Sequence, residues 1–375
     1  MPKKHLIWKP NYSITSAIAR SLMEIESART VVENTLLTPV AALELRNKVR
    51  VRSTHYSTRI EGNKLTLKQT EQVIRRKRIK FHGRERDISE VRNYWNALLR
   101  VEDWAARKAP LTESLIRRLH ALVEMGVRAK PTPYRTAQNA VRDSAGNAIV
   151  YLPPAAKDVP KLMSELAGWV GYAERSKLPA PIIAGLLHYQ FVTIHPYYDG
   201  NGRTARLLAT FILQRDGYGL NGFFSPEEHH ARELEGYYNA LTVDSGHNYY
   251  EGRNKADLTP WMEYFIVLLS KVFNEAKEET LLYAKKRISA EPRELRKLDH
   301  RARTIFSLFI KKEYIAGRDV SETLGLSARM SRVLMNRWVK DGWLMAANTS
   351  NRARAYGLSA IYRQYITGLS AMPLK

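Results

Sequence analysis

The sequence predicts a mainly α-helical protein: a large helical core followed by a smaller basic module. Three observations carry that expectation. Apolar residues recur at helical spacing through most of the chain before Ala290, as in Ile88, Val91, Tyr94, Trp95 and Leu98. In that span the residues Ala140-Val141-Arg142 and Ala148-Ile149-Val150-Tyr151, around a turn-rich Asp143 to Asn147, read as a short β-hairpin. Charge is also uneven. Residues 285–375 hold 19 Lys and Arg against 7 Asp and Glu, and so carry +12 of a net +23. That asymmetry marks a separate module and raises the odds of a polyanionic partner. An apolar fraction of 44% and a charged fraction of 26% are ordinary for a globular chain, which argues against wholesale disorder. The absence of cysteine excludes disulfides and thiolate metal sites, and suits a reducing compartment.

Taken in order, residues 1–50 show helical patterns at Ile14 to Ile25 and Leu36 to Val49, punctuated by Pro10 and Pro39. No apolar run follows Lys3 and Lys4, so no signal peptide is expected, and the location expected is the cytoplasm. Ser57 and Glu61 stand one helical turn apart, and Gly62 supplies a helix stop. Thr66 with Gln69 makes a capping box that opens a stretch expected to be helical to about residue 130. Beyond the hairpin, Val159 to Tyr172 and Pro181 to Thr193 read as helices. Ser225-Pro226-Glu227-Glu228 starts another, expected to carry Tyr237 and Tyr238. The apolar stretch Trp261 to Phe273 is broken by Glu263 and Lys271 and reads as part of a long buried helix, not a membrane span.

The chemistry is concentrated in Ile194-His195-Pro196-Tyr197-Tyr198-Asp199-Gly200-Asn201-Gly202-Arg203-Thr204-Ala205-Arg206. Gly200 and Gly202 permit positive φ, so successive N–H groups can form an anion-binding nest. The helix that follows puts its N-terminus behind that nest, which favours phosphate. Arg203 and Arg206 project from nearly one face of its first turn. Asp199 is a hard oxygen ligand suited to Mg²⁺, and His195 could take a proton from an incoming hydroxyl.

This segment resembles the signature of the Fic (filamentation induced by cAMP) family, His-Pro-aromatic-x-Asp/Glu-Gly-Asn-Gly-Arg-x-x-Arg, with Tyr197 where the family usually has Phe. The resemblance covers roughly residues 50–250. It implies a Fic-type helical core with a β-hairpin flap, and transfer of AMP from ATP to a Ser, Thr or Tyr hydroxyl of a target protein or of the enzyme itself. On that resemblance His195 is the base and Asp199 holds Mg²⁺. Gly200, Asn201 and Gly202 cradle the α- and β-phosphates, Arg203 steadies the β-phosphate and Arg206 takes the γ-phosphate. Val192 and Tyr197 line the nucleoside side, Tyr198 belongs to the same nucleotide-binding segment, and Tyr237 and Tyr238 border the adenine pocket or pack in the core. Ser57, Glu61 and Gly62 resemble the family's inhibitory motif, Ser/Thr-x-x-x-Glu-Gly/Asn, whose glutamate would pair with Arg206. The hairpin would be a flap that holds a target's backbone, or an ordinary connection.

After Ala290-Glu291-Pro292-Arg293, a linker, the sequence resembles a winged helix-turn-helix. Arg301 to Lys311 forms its first helix, Asp319 to Leu324 its second, and Ala328 to Lys340 its recognition helix, showing Arg329, Arg332, Arg337 and Lys340. The wing carries Arg352 and Arg354. Such a module binds duplex DNA or serves protein contacts or dimerisation. The expected organisation is residues 1–110 as a helical region with an inhibitory helix at about 54–63, 111–288 as the catalytic core and 289–375 as the winged helix. Rival readings are a nucleotide-sensing DNA-binding regulator and a related transfer: another nucleotide, phosphocholine, phosphate, or removal of AMP.

Overall fold

A computed structural model describes residues 8–35, 37–75, 79, 81–127, 130–142, 148–244, 246–288, 293–310, 312–347 and 355–367. The chain divides into two compact units, Met1–Glu33 with Arg46–Glu278, and Asn34–Leu45 with Glu279–Lys375. The helices in order are α1 (Ser16–Asn34), α2 (Pro39–Ile60), α3 (Leu67–Arg75), α4 (Glu85–Ala106) and α5 (Glu113–Met125). Then come strands β1 (Val141–Arg142) and β2 (Ile149–Tyr151), and helices α6 (Val159–Arg175), α7 (Ala180–Ile194), α8 (Asn201–Arg215), α9 (Pro226–Arg232), α10 (Leu234–Leu241) and α11 (Thr259–Ile288).

The larger unit is organised around α7. Every residue of that helix except Val192 is buried, so it reads as a helix apolar on all sides and surrounded by others. Helices α6 and α8 pack on it, and α4 and α5 pack on α8. On another side Gly185 lets α11 approach: a Cβ there would lie 2.8 Å from the Phe265 ring, and Trp261 Nε1 donates to the Gly185 carbonyl at 2.8 Å. Consequently α7 is a fixed axle, and its C-terminal end is where His195 begins.

Several sequence expectations need correction. The stretch expected to be helical from residue 66 to 130 is three helices, α3, α4 and α5, interrupted at Gly83 (φ +68°) and before Thr112, which caps α5 by accepting from Leu115 N at 3.1 Å. Thr66 and Gln69 do close their reciprocal box, at 3.2 and 2.9 Å. Tyr237 and Tyr238 lie not on the helix opened by Ser225 but on α10, after a break at Glu233 (φ −115°, ψ 49°). Ser225 does not cap α9 through its side chain; it donates to Glu227 Oε2 at 2.9 Å. The hairpin is present, with Val141 opposite Tyr151 in antiparallel register; its turn, 143–147, lies outside the described residues.

In the smaller unit follow α12 (Arg293–Arg296), α13 (His300–Phe306), β3 (Ile315–Ala316), α14 (Gly317–Leu324), α15 (Ala328–Lys340), β4 (Leu344–Ala346), β5 (Ala355–Leu358) and α16 (Ala360–Thr367). The three strands form one antiparallel sheet in the order β3-β5-β4, and β3 has no counterpart in the sequence expectation. Trp338, Trp343, Phe306, Ile305 and Leu344 form its core. Between α14 and α15 the turn uses Gly325 at φ +63°, and Ser327 caps α15 by accepting from Met330 N at 3.3 Å. Helix α15 buries Ser331, Leu334, Met335 and Trp338 and exposes Arg329, Arg332, Arg337 and Lys340. Arg352 and Arg354 lie outside the described residues, as do residues 290–292 of the expected linker, whose last residue, Arg293, opens α12. No described helix is long and apolar enough to cross a membrane.

Candidate functional site

The site lies in the larger unit, where α7 ends and α8 begins. His195 is the C-cap of α7 in a left-handed conformation (φ 51°, ψ 60°), and its N–H closes the helix on the Phe191 carbonyl at 3.0 Å. Its Nδ1 lies 3.2 Å from the Val192 carbonyl. A carbonyl can only accept, so Nδ1 carries the proton and Nε2 is left as the basic nitrogen. Burial pushes the ring down to about 4, and the Arg135 charge adds to that fall against the pull of the Val192 carbonyl, Glu61 and Asp199. The imidazole is therefore neutral at physiological pH.

The turn from His195 to α8 is closed by Asn201. Its Oδ1 accepts from Tyr197 N at 3.1 Å and its Nδ2 donates to the Tyr197 carbonyl at 2.9 Å. Both ends of that amide are therefore engaged in the turn. Tyr197 is buried and stacks on His120, with ring centroids 3.6 Å apart. The structure thus places its ring in the interior. Tyr237 is likewise a core residue, bonded through its hydroxyl to His188 Nε2 at 3.0 Å, whereas Tyr238 is exposed. Tyr198 is exposed, and its hydroxyl accepts from Ala137 N at 3.0 Å and Thr136 N at 3.2 Å.

Of the two glycines, only Gly200 takes a positive φ (+74°), as the N-cap of α8. Gly202 is helical, and its bare Cα serves a different purpose: a Cβ there would collide with Glu61 Oε1, as one on Gly200 would with Glu124 Oε1. Two carboxylates thus rest on the head of α8, where first-turn N–H groups have no intrahelical acceptor and the helix dipole favours negative charge. Each also meets an arginine. Arg206 donates from Nη2 to Glu61 Oε1 at 2.8 Å and to the Ser57 carbonyl at 2.9 Å, and from Nε to Ser57 Oγ at 2.9 Å. Burial opposes its charge, but Glu61 more than restores it, and the group stays above its ordinary value. Arg203 pairs through Nη2 with Glu124 Oε1 at 2.8 Å and with Asp199 Oδ1 at 3.4 Å. Both guanidiniums are buried, yet Arg203 Nε and Arg206 Nη1 have no hydrogen-bond partner among the described residues. Orphaned buried donors of this kind are costly unless an acceptor arrives.

Asp199 is exposed; Oδ1 accepts from Gly200 N at 2.6 Å and, among the described residues, Oδ2 faces the exposed Arg86, at 3.4 Å. An open carboxylate edge beside an anion cradle fits a hard divalent cation. Sequence reasoning brought His195, Asp199, Gly200, Gly202, Arg203, Arg206, Ser57 and Glu61 to one place, with Val192 contributing its carbonyl and Gly62 (φ +91°) ending the segment after α2. It missed Glu124, Arg86, His120 and Arg135. His120 holds the Asp199 carbonyl from Nε2 at 2.8 Å while Nδ1 meets Thr132 Oγ1 at 3.0 Å. None of the four stands in a spacing pattern with the signature, so no local signal marks them.

Fold and site together define a helical protein built around an anion cradle at the head of a buried helix. Residues 110–213 match the model of the Fic/DOC family. The chain is 29% identical over 241 residues to the protein adenylyltransferase Fic of Nematostella vectensis, covering 61% of this chain and 49% of that protein. It is 33% identical over 172 residues to that of Culex quinquefasciatus, covering 44% and 32% respectively. The chain thus spans about half or less of the length of these relatives. A crystal structure of a Fic family protein from Desulfovibrio desulfuricans G20 is similar over 94% of this chain and 99% of that one, at 27% identity and a TM-score of 0.59. A Fic domain containing signaling protein from Bacteroides thetaiotaomicron VPI-5482 matches over 72% and 97%, at 26% identity and the same TM-score of 0.59.

Proposed function

We propose that this protein transfers AMP from ATP to a hydroxyl of a target protein and is held off by its own Glu61. The observation that supports this most is the pair of buried arginine donors, Arg203 Nε and Arg206 Nη1, left without acceptors among the described residues, in a site whose histidine keeps its proton on Nδ1 and so has Nε2 as its basic nitrogen. The phosphates of ATP would supply the acceptors. In the reaction the acceptor hydroxyl gives its proton to His195 Nε2 as its oxygen bonds to the α-phosphorus. The bond from that phosphorus to the α,β-bridging oxygen breaks, and pyrophosphate leaves with the electron pair. Positioning and stabilisation of charge on phosphate oxygens account for most of such catalysis. Asp199 would hold Mg²⁺, which neutralises phosphate charge when bound.

Inhibition follows from the occupancy of Arg206. With Glu61 and Ser57 on its Nη2 and Nε, the guanidinium retains one free nitrogen, Nη1, for a phosphate, and the carboxylate sits over Gly202 where a triphosphate would pass. Incubation of the Glu61→Gly protein with α-labelled and γ-labelled ATP in parallel tests the transfer. Label from the α position alone supports it; label from neither removes it. For the smaller unit we propose a winged helix that contacts duplex DNA, supported by its helix–strand–helix–helix–strand–strand order and the exposed basic face of α15. That face also favours a second reading, a DNA-binding regulator whose Fic domain senses nucleotide.

A further inference from the structure

Arg135 is a buried arginine that the chemistry above does not use. It is 2% exposed, and no ion pair to it occurs among the described residues. Its guanidinium instead donates to three carbonyls. Nε reaches the His195 oxygen at 2.9 Å, Nη1 the Ala137 oxygen at 3.2 Å and Nη2 the Pro154 oxygen, while its own backbone N–H donates to the Pro196 oxygen at 2.9 Å. Ala137 precedes β1 and Pro154 follows β2, so one rigid fork joins both feet of the hairpin to the residue that carries the base.

Two features make this more than packing. His195 is a non-glycine residue at φ 51°, a conformation that costs on the order of 1 kcal/mol and persists only where surroundings hold it. The contact from Arg135 falls on the carbonyl of that strained residue, and the next carbonyl, on Pro196, is held by the Arg135 backbone. Second, a buried guanidinium satisfied only by neutral oxygens keeps its full charge beside the imidazole, and burial holds it below its ordinary value. We propose that Arg135 is a positioning residue for His195, holding the base in its left-handed turn and tying it to both feet of the β1–β2 hairpin. This rests on the reading of His195 as the base for AMP transfer.

The groups whose charge bears on the His195 ring are Arg135, Glu61 and Asp199. Removing the Arg135 charge should therefore raise the pKa of His195, whereas exchanging it for lysine should not. The test uses the full chain carrying Glu61→Gly. Adding Arg135→Lys, which keeps the charge but loses the three-carbonyl fork, should lower kcat about 10- to 100-fold, the scale of a misplacement near 1 Å. KM for ATP should stay within about threefold. Adding Arg135→Met should lower kcat at least as far and move the acid limb of the rate profile to higher pH. Histidine NMR titration, with the His195 resonance assigned by its loss in His195→Ala, should show the ring titrating higher in the Arg135→Met protein than in the Arg135→Lys protein. Parent-like kcat in both variants would overturn the proposal. So would equal falls in kcat, ATP binding and melting temperature, which mean that Arg135 only holds the fold together. If the Glu61→Gly parent itself transfers no label, the AMP-transfer reading fails. The NMR titration then still decides on Arg135, and identical His195 titrations in all proteins would sink it.

Discussion

In the proposed reaction His195 is the base, and its backbone neighbours fix which ring nitrogen serves. Nδ1–H donates to the Val192 carbonyl, so Nε2 is the nitrogen that can accept a proton. His195→Ala should reduce transfer on the order of 100- to 10,000-fold while leaving ATP affinity within a few-fold, checked by label incorporation and calorimetry. Glu61→Gly should act in the opposite sense. It frees Arg206 without touching the cradle, so transfer and self-modification should rise sharply; an unchanged rate would mean that the end of α2 is only scaffold. Arg206→Ala should not mimic it, because it deletes the phosphate ligand along with the pair. These residues were legible because a short signature fixes their types and spacing. Glu124 and Arg86 were not, since their partners Arg203 and Asp199 lie 79 and 113 positions away. Nothing local in the sequence announces a contact across such a distance. The closure of the turn by the Asn201 amide was not legible for a related reason: it depends on side-chain direction, not on spacing.

At the scale of elements, periodicity found α6, α7 and α11 well, since each presents a continuous apolar pattern bounded by proline or a cap. It merged α3, α4 and α5 across separations that hold Gly83 and Thr112, and also α9 with α10, where the break is a single residue of ordinary type, Glu233. It missed β3, a two-residue strand too short to show alternation. The element with the clearest consequence is α15. Four basic side chains on one exposed face should make phosphate contacts, so duplex affinity of the full chain should fall steeply between low and moderate salt. Arg332→Ala should weaken binding and flatten that dependence by about one counterion, read by fluorescence anisotropy. Absence of binding at low salt would leave α15 a protein-contact surface.

At the scale of the whole molecule, buried histidines set the response to acid. Burial holds His188 down to about 3 and His120 and His195 to about 4, and His230 lies well below its ordinary value. Each binds fewer protons folded than unfolded, so its neutral form contributes stability that is full above the unfolded value near 6.5 and is lost as pH falls through that value towards the folded one. Urea midpoints should therefore drop from about pH 6.5 downward, and His188→Gln should shrink the drop; a midpoint flat from pH 7 to 4.5 would refute this. The general architecture, helical core plus basic module, was readable from composition and period. The depth at which these histidines sit was not, because periodicity tells which face is covered and not how many layers cover it. The ion pair of Glu61 with Arg206 has one more consequence. A side chain on the same polypeptide is a ligand of fixed effective concentration, independent of how much protein is in the tube. The ratio of Glu61→Gly to wild-type activity should therefore stay constant from nanomolar to micromolar protein at a given ATP level. A ratio that shrank on dilution would mean that the brake is applied by another copy of the chain.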